Sequence, residues 1–113
     1  MGSRIVSWGE WKNLLEMCRG WKKPVLIDIT AKYDELRHRV LFSATLHLQG
    51  FSHEYTISVR YTNQEGVKEK FKRFKEKILR EITSRRIPAD IFTYWDIPHP
   101  VFVKIARGEA RLK

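Results

Sequence analysis

Three consecutive stretches of alternating apolar and polar residues do most to limit how this chain can fold. They cover residues 25–33, 38–49 and 53–61. Because successive side chains of a strand point to opposite faces, each stretch predicts a strand with one apolar and one polar face. The breaks between them, at 34–35 and 49–52, are short enough for hairpin turns. The sequence therefore predicts a three-stranded antiparallel meander that needs covering on one side only.

Two stretches with helical periodicity supply the cover. In the first, Ser7 and Glu10 have the spacing of a capping box and Gly20 provides a C-terminal stop, which together predict a helix over residues 7–19. The second helix is predicted over residues 65–84, where apolar side chains recur on one face. Those side chains are Val67, Phe71, Phe74, Ile78 and Ile82.

The C-terminal residues predict one or two further strands. Residues 90–96 and 101–106 are β-like, and the link from Pro98 to Pro100 is too rigid for a helix. A chain of 113 residues has room for one core, so we expect a single domain over residues 1–113. The expected fold class is α+β, in the order α-β-β-β-α with one or two further C-terminal strands. Its antiparallel sheet is covered on one face by two helices.

Composition limits the environment and the chemistry. No apolar run reaches the roughly 18 residues of a membrane span, and the N-terminus lacks an apolar signal segment. The single cysteine, Cys18, excludes an internal disulfide framework, and the four histidines have no metal-ligand spacing. We therefore expect a cytoplasmic protein without membrane partner, metal or cofactor. Only four residues are Asn or Gln, and many are Lys or Glu, which is typical of thermophilic proteins.

The charge indicates a class of partner. The chain carries 22 basic and 13 acidic residues, a net charge of +9, and residues 64–86 alone hold nine basic against four acidic residues, or +5. This concentration of positive charge predicts that the protein contacts the phosphates of nucleic acid. Such contacts fix the position of the protein on the nucleic acid but do not depend on the base sequence. The candidate nucleic-acid-binding residues are Lys68, Lys70, Lys72, Arg73, Lys75, Lys77, Arg80, Arg85 and Arg86. Part of this charge is expected in ion pairs, because Glu69–Arg73 and Glu76–Arg80 have i,i+4 spacing. The alternative is a solvated face that serves solubility or thermostability only.

The element order over residues 7–84 resembles that of double-stranded-RNA-binding domains. His38 and Phe42 are spaced as in the second strand of that family, and Lys68 with Lys70 is similar to its basic helix opening. The resemblance implies a second helix that straddles phosphates of a duplex. It is confined to topology, since the glycine–proline pair and small alanines of the family are replaced here.

Enzymatic readings find less support in the residues. The same element order suits a restriction-endonuclease core, but the second predicted strand has no carboxylate and the third has no acid-x-Lys motif. A small metal-independent ribonuclease could use His47, Arg39 and Arg60 on the polar sheet face. We therefore expect no enzymatic activity and keep the ribonuclease as an alternative.

A protein–protein interaction module is the other alternative. It would be a homodimer joined through an exposed strand or through Tyr94 and Trp95, which precede the proline-containing link and are expected at the surface. The polar face of the three-stranded meander has no aromatic residue, which argues against base stacking there.

Overall fold

The computed structural model describes residues 2–61 and 63–97, which form two helices and a five-stranded sheet. The elements in chain order are β1 (Gly2–Ile5), α1 (Trp8–Met17), β2 (Val25–Asp34), β3 (Arg39–Leu48), β4 (Phe51–Arg60), α2 (Gln64–Ser84) and β5 (Ala89–Asp96). The α+β class is confirmed. The predicted order lacked only the strand that precedes α1.

Both helices begin where a polar side chain satisfies a free backbone N–H group. The Ser7 hydroxyl accepts a hydrogen bond from the Glu10 amide at 3.1 Å, as the capping-box spacing predicted. At the start of α2, the Asn63 side chain accepts from the Gly66 amide at 2.7 Å. α2 buries all five apolar residues of its predicted stripe, so its opposite surface is left to the charged residues.

The centre of the sheet is the predicted antiparallel meander. β3 pairs with β2 on one side and with β4 on the other. The β3–β4 hairpin turns at Gln49 and Gly50, whose φ angles of 49° and 86° suit the tight turn that matches strand twist.

The prediction of a purely antiparallel sheet is wrong, because the sheet is mixed. The strand order is β1-β4-β3-β2-β5, and both outer strands pair in parallel, β1 with β4 and β5 with β2. Each outer strand is next to a helix along the chain: α1 follows β1, and α2 precedes β5. α2 returns the chain to the end of the sheet where β2 begins, so β5 runs in the same direction as β2.

β1 was not predicted from the sequence, for a local reason. It has four residues, three of them exposed, and so carries no alternation of apolar and polar side chains. The predicted strand over 90–96 is confirmed as β5, whereas the predicted strand over 101–106 lies outside the described residues.

The two faces of the sheet have different environments. One face, here called the core face, packs against both helices and carries alternate residues of β2 and β3 that are fully enclosed, such as Ile27, Ile29 and Phe42. The other face, here called the outer face, is not covered by any of the described residues. α1 and α2 therefore lie on the same side, as the one-sided polarity of the strands predicted.

Candidate nucleic-acid interface

The core stripe of α2 fixes where its basic side chains lie. Lys70, Arg73 and Lys77 border the β4 strand residues Ile57 and Val59, and we call this side of the helix the β4-side flank. Lys68, Lys72 and Lys75 lie on the opposite side, and we call this the β5-side flank. Here the Lys75 ammonium is 5.3 Å from the centre of the Phe71 ring, which in turn contacts Trp95 of β5.

Five of the nine predicted residues are exposed and form no ion pair with any residue in the described ranges. They are Lys68, Lys70, Lys72, Arg80 and Arg86. With a rise of about 1.5 Å per residue, the distance along the axis from Lys68 to Arg80 is about 18 Å. These five are the side chains free to contact phosphates. The predicted pair between Glu76 and Arg80 is not formed.

Lys77 is held by aromatic side chains. Its ammonium lies 4.3 Å from the centre of the Trp8 ring and 5.4 Å from that of Tyr55. It also donates to the Tyr55 hydroxyl at 3.4 Å. Because the Trp8 face attracts a cation, this lysine links α2 to α1 and β4 and is less available to a phosphate than its neighbours.

Two of the arginines are paired with carboxylates. Arg73 forms the predicted i,i+4 ion pair with Glu69 at 3.5 Å, and both side chains are exposed. Arg85 is different, because its side chain is only 11% exposed and bridges Glu16 of α1 at 3.0 Å and Glu81 of α2 at 2.8 Å. Arg85 therefore joins the two helices and is less available to a phosphate than the exposed side chains.

The outer face has the opposite charge balance. Alternation along the strands brings Lys32, Arg39 and Arg60 to this face. The acidic residues of β2 to β5 on the same face are Asp28, Asp34, Glu54, Asp90 and Asp96. With three basic residues against five acidic ones, this face has a charge of −2, so the positive charge of the described residues lies mainly away from this face.

The three residues of the ribonuclease alternative do not meet. Arg39 and Arg60 are cross-strand neighbours, but His47 lies eight residues further along β3, about 26 Å from Arg39. His47 instead hydrogen-bonds Asp28 at 2.9 Å and Ser52 at 3.0 Å. Ladder pairing of β4 with β1 and β3 occupies the backbone amides around Ser52. His47 therefore links β2, β3 and β4 through its hydrogen bonds to Asp28 and Ser52.

The two aromatic residues that the sequence predicted at the surface differ in burial. Trp95 lies on the core face and is partly buried against Phe71, with ring centres 5.8 Å apart. Tyr94 is exposed as expected, together with Phe92 on the same outer face. Phe92 was missed because both faces of 90–96 carry apolar residues, and alternation alone could not decide which faced the core.

No cluster of three or more His, Cys, Asp or Glu side chains that could hold a metal occurs among residues 2–61 and 63–97. Among the helices of this part of the chain, none is both long and apolar enough to cross a membrane. Comparisons with protein-family models, with curated protein sequences and with solved structures return no match.

Proposed function

We propose that this protein is a small, non-enzymatic nucleic-acid-binding protein that contacts the phosphates of duplex RNA or DNA through α2, without reading sequence. The observation that carries the proposal is the row of exposed basic side chains of α2 that no described carboxylate neutralises. Lysine ammonium groups act as point charges toward phosphates and do not distinguish bases.

The distribution of charge over the molecule supports the same function. Among the described residues the outer face is slightly acidic, whereas residues 64–86 carry +5, so these residues attract a polyanion to the helical side. Lys68 and Lys72 on the β5-side flank are four residues apart and exposed, which sets two cations about 6 Å apart along the axis.

The test is binding to labelled duplex RNA, duplex DNA and single-stranded RNA at several salt concentrations, with the double variant Lys68→Gln with Lys72→Gln. The variant should bind every sequence more weakly, and its salt slope on duplex DNA should fall by about 2, because each lost phosphate contact removes about 0.9. The matched control is Lys22→Gln with Lys23→Gln, which removes the same charge from the exposed loop after α1.

Equal losses in the two double variants would show that only net charge matters and would contradict an interface on α2. The absence of binding at low salt would contradict nucleic-acid binding altogether.

A protein–protein interaction module is the second candidate, and one observation favours it. Leu26, Phe92 and Tyr94 are 40%, 46% and 50% exposed and lie on neighbouring positions of β2 and β5 on the outer face. Aromatic residues grouped at a surface in this way are typical of interface centres. Trp95, which packs on the core face, is not available to such an interface.

A further inference from the structure

Half of β4 is a free edge in the described structure. β1 pairs with β4 only along Phe51–Glu54, and the last bond between them is donated by the Val6 amide to the Glu54 carbonyl at 2.9 Å. Because backbone groups alternate in direction along a strand, the N–H and C=O groups of Thr56, Ser58 and Arg60 point the same way as those of Glu54. No described strand bonds them, and the Arg39 guanidinium donates to the Ser58 carbonyl at 3.4 Å. The edge Thr56–Arg60 is therefore a template for an added strand.

An apolar groove of about 270 Å³ lies beside this edge on the core face. Its floor is formed by Ile57 and Val59 of β4, with Phe74 of α2 forming the inner wall. The floor is open because α1 does not extend over it. α1 begins beside Tyr55, whose ring Trp8 contacts, and the later β4 residues Ile57 and Val59 are only partly buried. A strand added at the edge would direct every second side chain toward this groove.

The rim of the groove is positively charged. The residues of the β4-side flank, Lys70, Arg73 and Lys77, line it together with the apolar floor. Arg73 has Glu69 as an exposed ion-pair partner and Lys77 contacts Trp8 and Tyr55, so Lys70 carries the charge that is unpaired among the described residues. The groove thus presents apolar contacts beside cations.

The charge also excludes two other occupants. A second copy pairing through the same edge would bring two cationic rims together. Residues 98–113 of this chain, or of another copy, carry Lys104, Arg107, Arg111 and Lys113 against Glu109 alone, a charge of +3. The rim would repel both, and it would attract an acidic segment.

We infer that the Thr56–Arg60 edge and its groove bind an extended acidic peptide segment of a partner protein by β-strand addition, with apolar side chains on Ile57 and Val59 and carboxylates on Lys70 and Arg73. Main-chain hydrogen bonds supply affinity in this mode of recognition, and the alternate side chains supply specificity. This surface differs from the β5-side flank, and Lys70 is the one groove residue that is also among the five side chains free to contact phosphates.

The test uses the full-length chain and the capped peptide Glu-Thr-Val-Thr-Glu-Thr-Val in a titration followed by fluorescence polarisation. A peptide with Lys in place of Glu should not bind. Two further peptides are N-methylated at alternate residues, one at odd and one at even positions. Methylation on the side facing β4 should weaken binding by about tenfold or more, and methylation on the other side should not, because only one set of amides reaches the edge.

Two pairs of protein variants locate the site. Lys70→Glu with Arg73→Glu should weaken peptide binding about tenfold, whereas Lys68→Glu with Lys72→Glu on the opposite flank should leave it nearly unchanged. Ser58→Pro removes one outward amide and should weaken binding similarly, while Ser58→Ala keeps that amide and should not.

Equal binding of both methylated peptides would overturn strand addition, and equal effects of the two charge reversals would overturn the site. An oligonucleotide that needs Lys70 and Arg73 but not Lys68 and Lys72 would assign the groove to nucleic acid and also overturn the inference.

Discussion

Arg85 differs from the other basic residues of α2 in what surrounds its guanidinium. It bridges Glu16 and Glu81, and little of its side chain meets solvent. The pKa of Glu16 is lowered from its ordinary value of 4.5, chiefly by the hydrogen bond from Arg19 and in addition by Arg85. A carboxylate whose pKa is lowered on folding stabilises the protein above its ordinary pKa, and this contribution is lost as the pH falls through the lowered value.

Arg85→Ala should therefore lower the free energy of unfolding at pH 7 by about 1 kcal/mol, because it removes the charge-assisted hydrogen bond to Glu16 of α1 and those to Glu81 within α2. The difference from the wild type should shrink as the pH falls through the lowered pKa of Glu16, because the carboxylate then becomes protonated. Chemical denaturation over this pH range measures both effects. Arg80→Ala is the control, since Arg80 is exposed and has no ion pair among the described residues. It should leave stability unchanged and weaken nucleic-acid binding, and the reverse pattern would contradict the assignment of the two arginines.

The two helices show how local sequence determines where an element begins, and α2 shows it most clearly. Asn63 has an extended backbone, and its side chain bonds the Gly66 amide, so that the helix starts at Gln64 with a satisfied first turn. From there the buried stripe of α2 packs over β3, where the ring of Phe42 lies 5.1 Å from that of Phe71 and 5.7 Å from that of Phe74. The cap thus sets the start of the helix that presents the basic flanks.

Asn63→Ala should lower the free energy of unfolding by about 1 kcal/mol, because the Gly66 amide loses its acceptor. Asn63→Asp should retain most of the stability, since aspartate accepts the same bond and its charge is favourable at a helix N-terminus. Thermal or chemical denaturation of the two variants measures the difference. Equal destabilisation by Ala and Asp would show that the side-chain amide has another role.

Much of the fold could be predicted from the sequence because its signals are local. Alternation identified β2, β3 and β4 and the face that each one buries, and the caps and apolar stripe identified α1 and α2. The parallel edges could not be predicted, since β1 is too short to alternate and the direction of β5 depends on the path of α2. For the candidate site, the basic residues were evident from the sequence. Which of them are free and which are held by other side chains depends on tertiary contacts, because Arg85 pairs with Glu16, 69 positions away, and Lys77 packs on Trp8.

At the scale of the whole molecule, the described residues form a layer of two helices, of which α2 is basic, on a sheet whose outer face is slightly acidic. The two candidate functions use opposite sides of this arrangement, because the phosphate contacts are assigned to α2 and the apolar patch of Leu26, Phe92 and Tyr94 lies on the outer face. Binding of nucleic acid and association through the outer face are therefore sterically compatible.

If the outer face is a dimer interface, the wild type should sediment as a dimer with little dependence on salt, and Phe92→Ser with Tyr94→Ser should sediment as a monomer. Both side chains are about half exposed, so the double variant should change stability little. Leu79→Ser removes an exposed apolar side chain from α2 and serves as the control. A wild type that remains monomeric at high concentration would contradict self-association through this face.

The parallel outer strands also have a consequence for the order in which the protein folds. The central meander is continuous in the sequence, whereas Gly2 pairs with Phe51 and Val25 pairs with Ala89, 49 and 64 positions away. Contacts between distant parts of a chain form slowly, because a long loop must close first. During synthesis, β1 can pair with β4 only after β4 has emerged from the ribosome, and β2 can pair with β5 only after β5 has emerged. The sheet should therefore grow outward from its middle, and its edges should be the last part to become protected from hydrogen exchange.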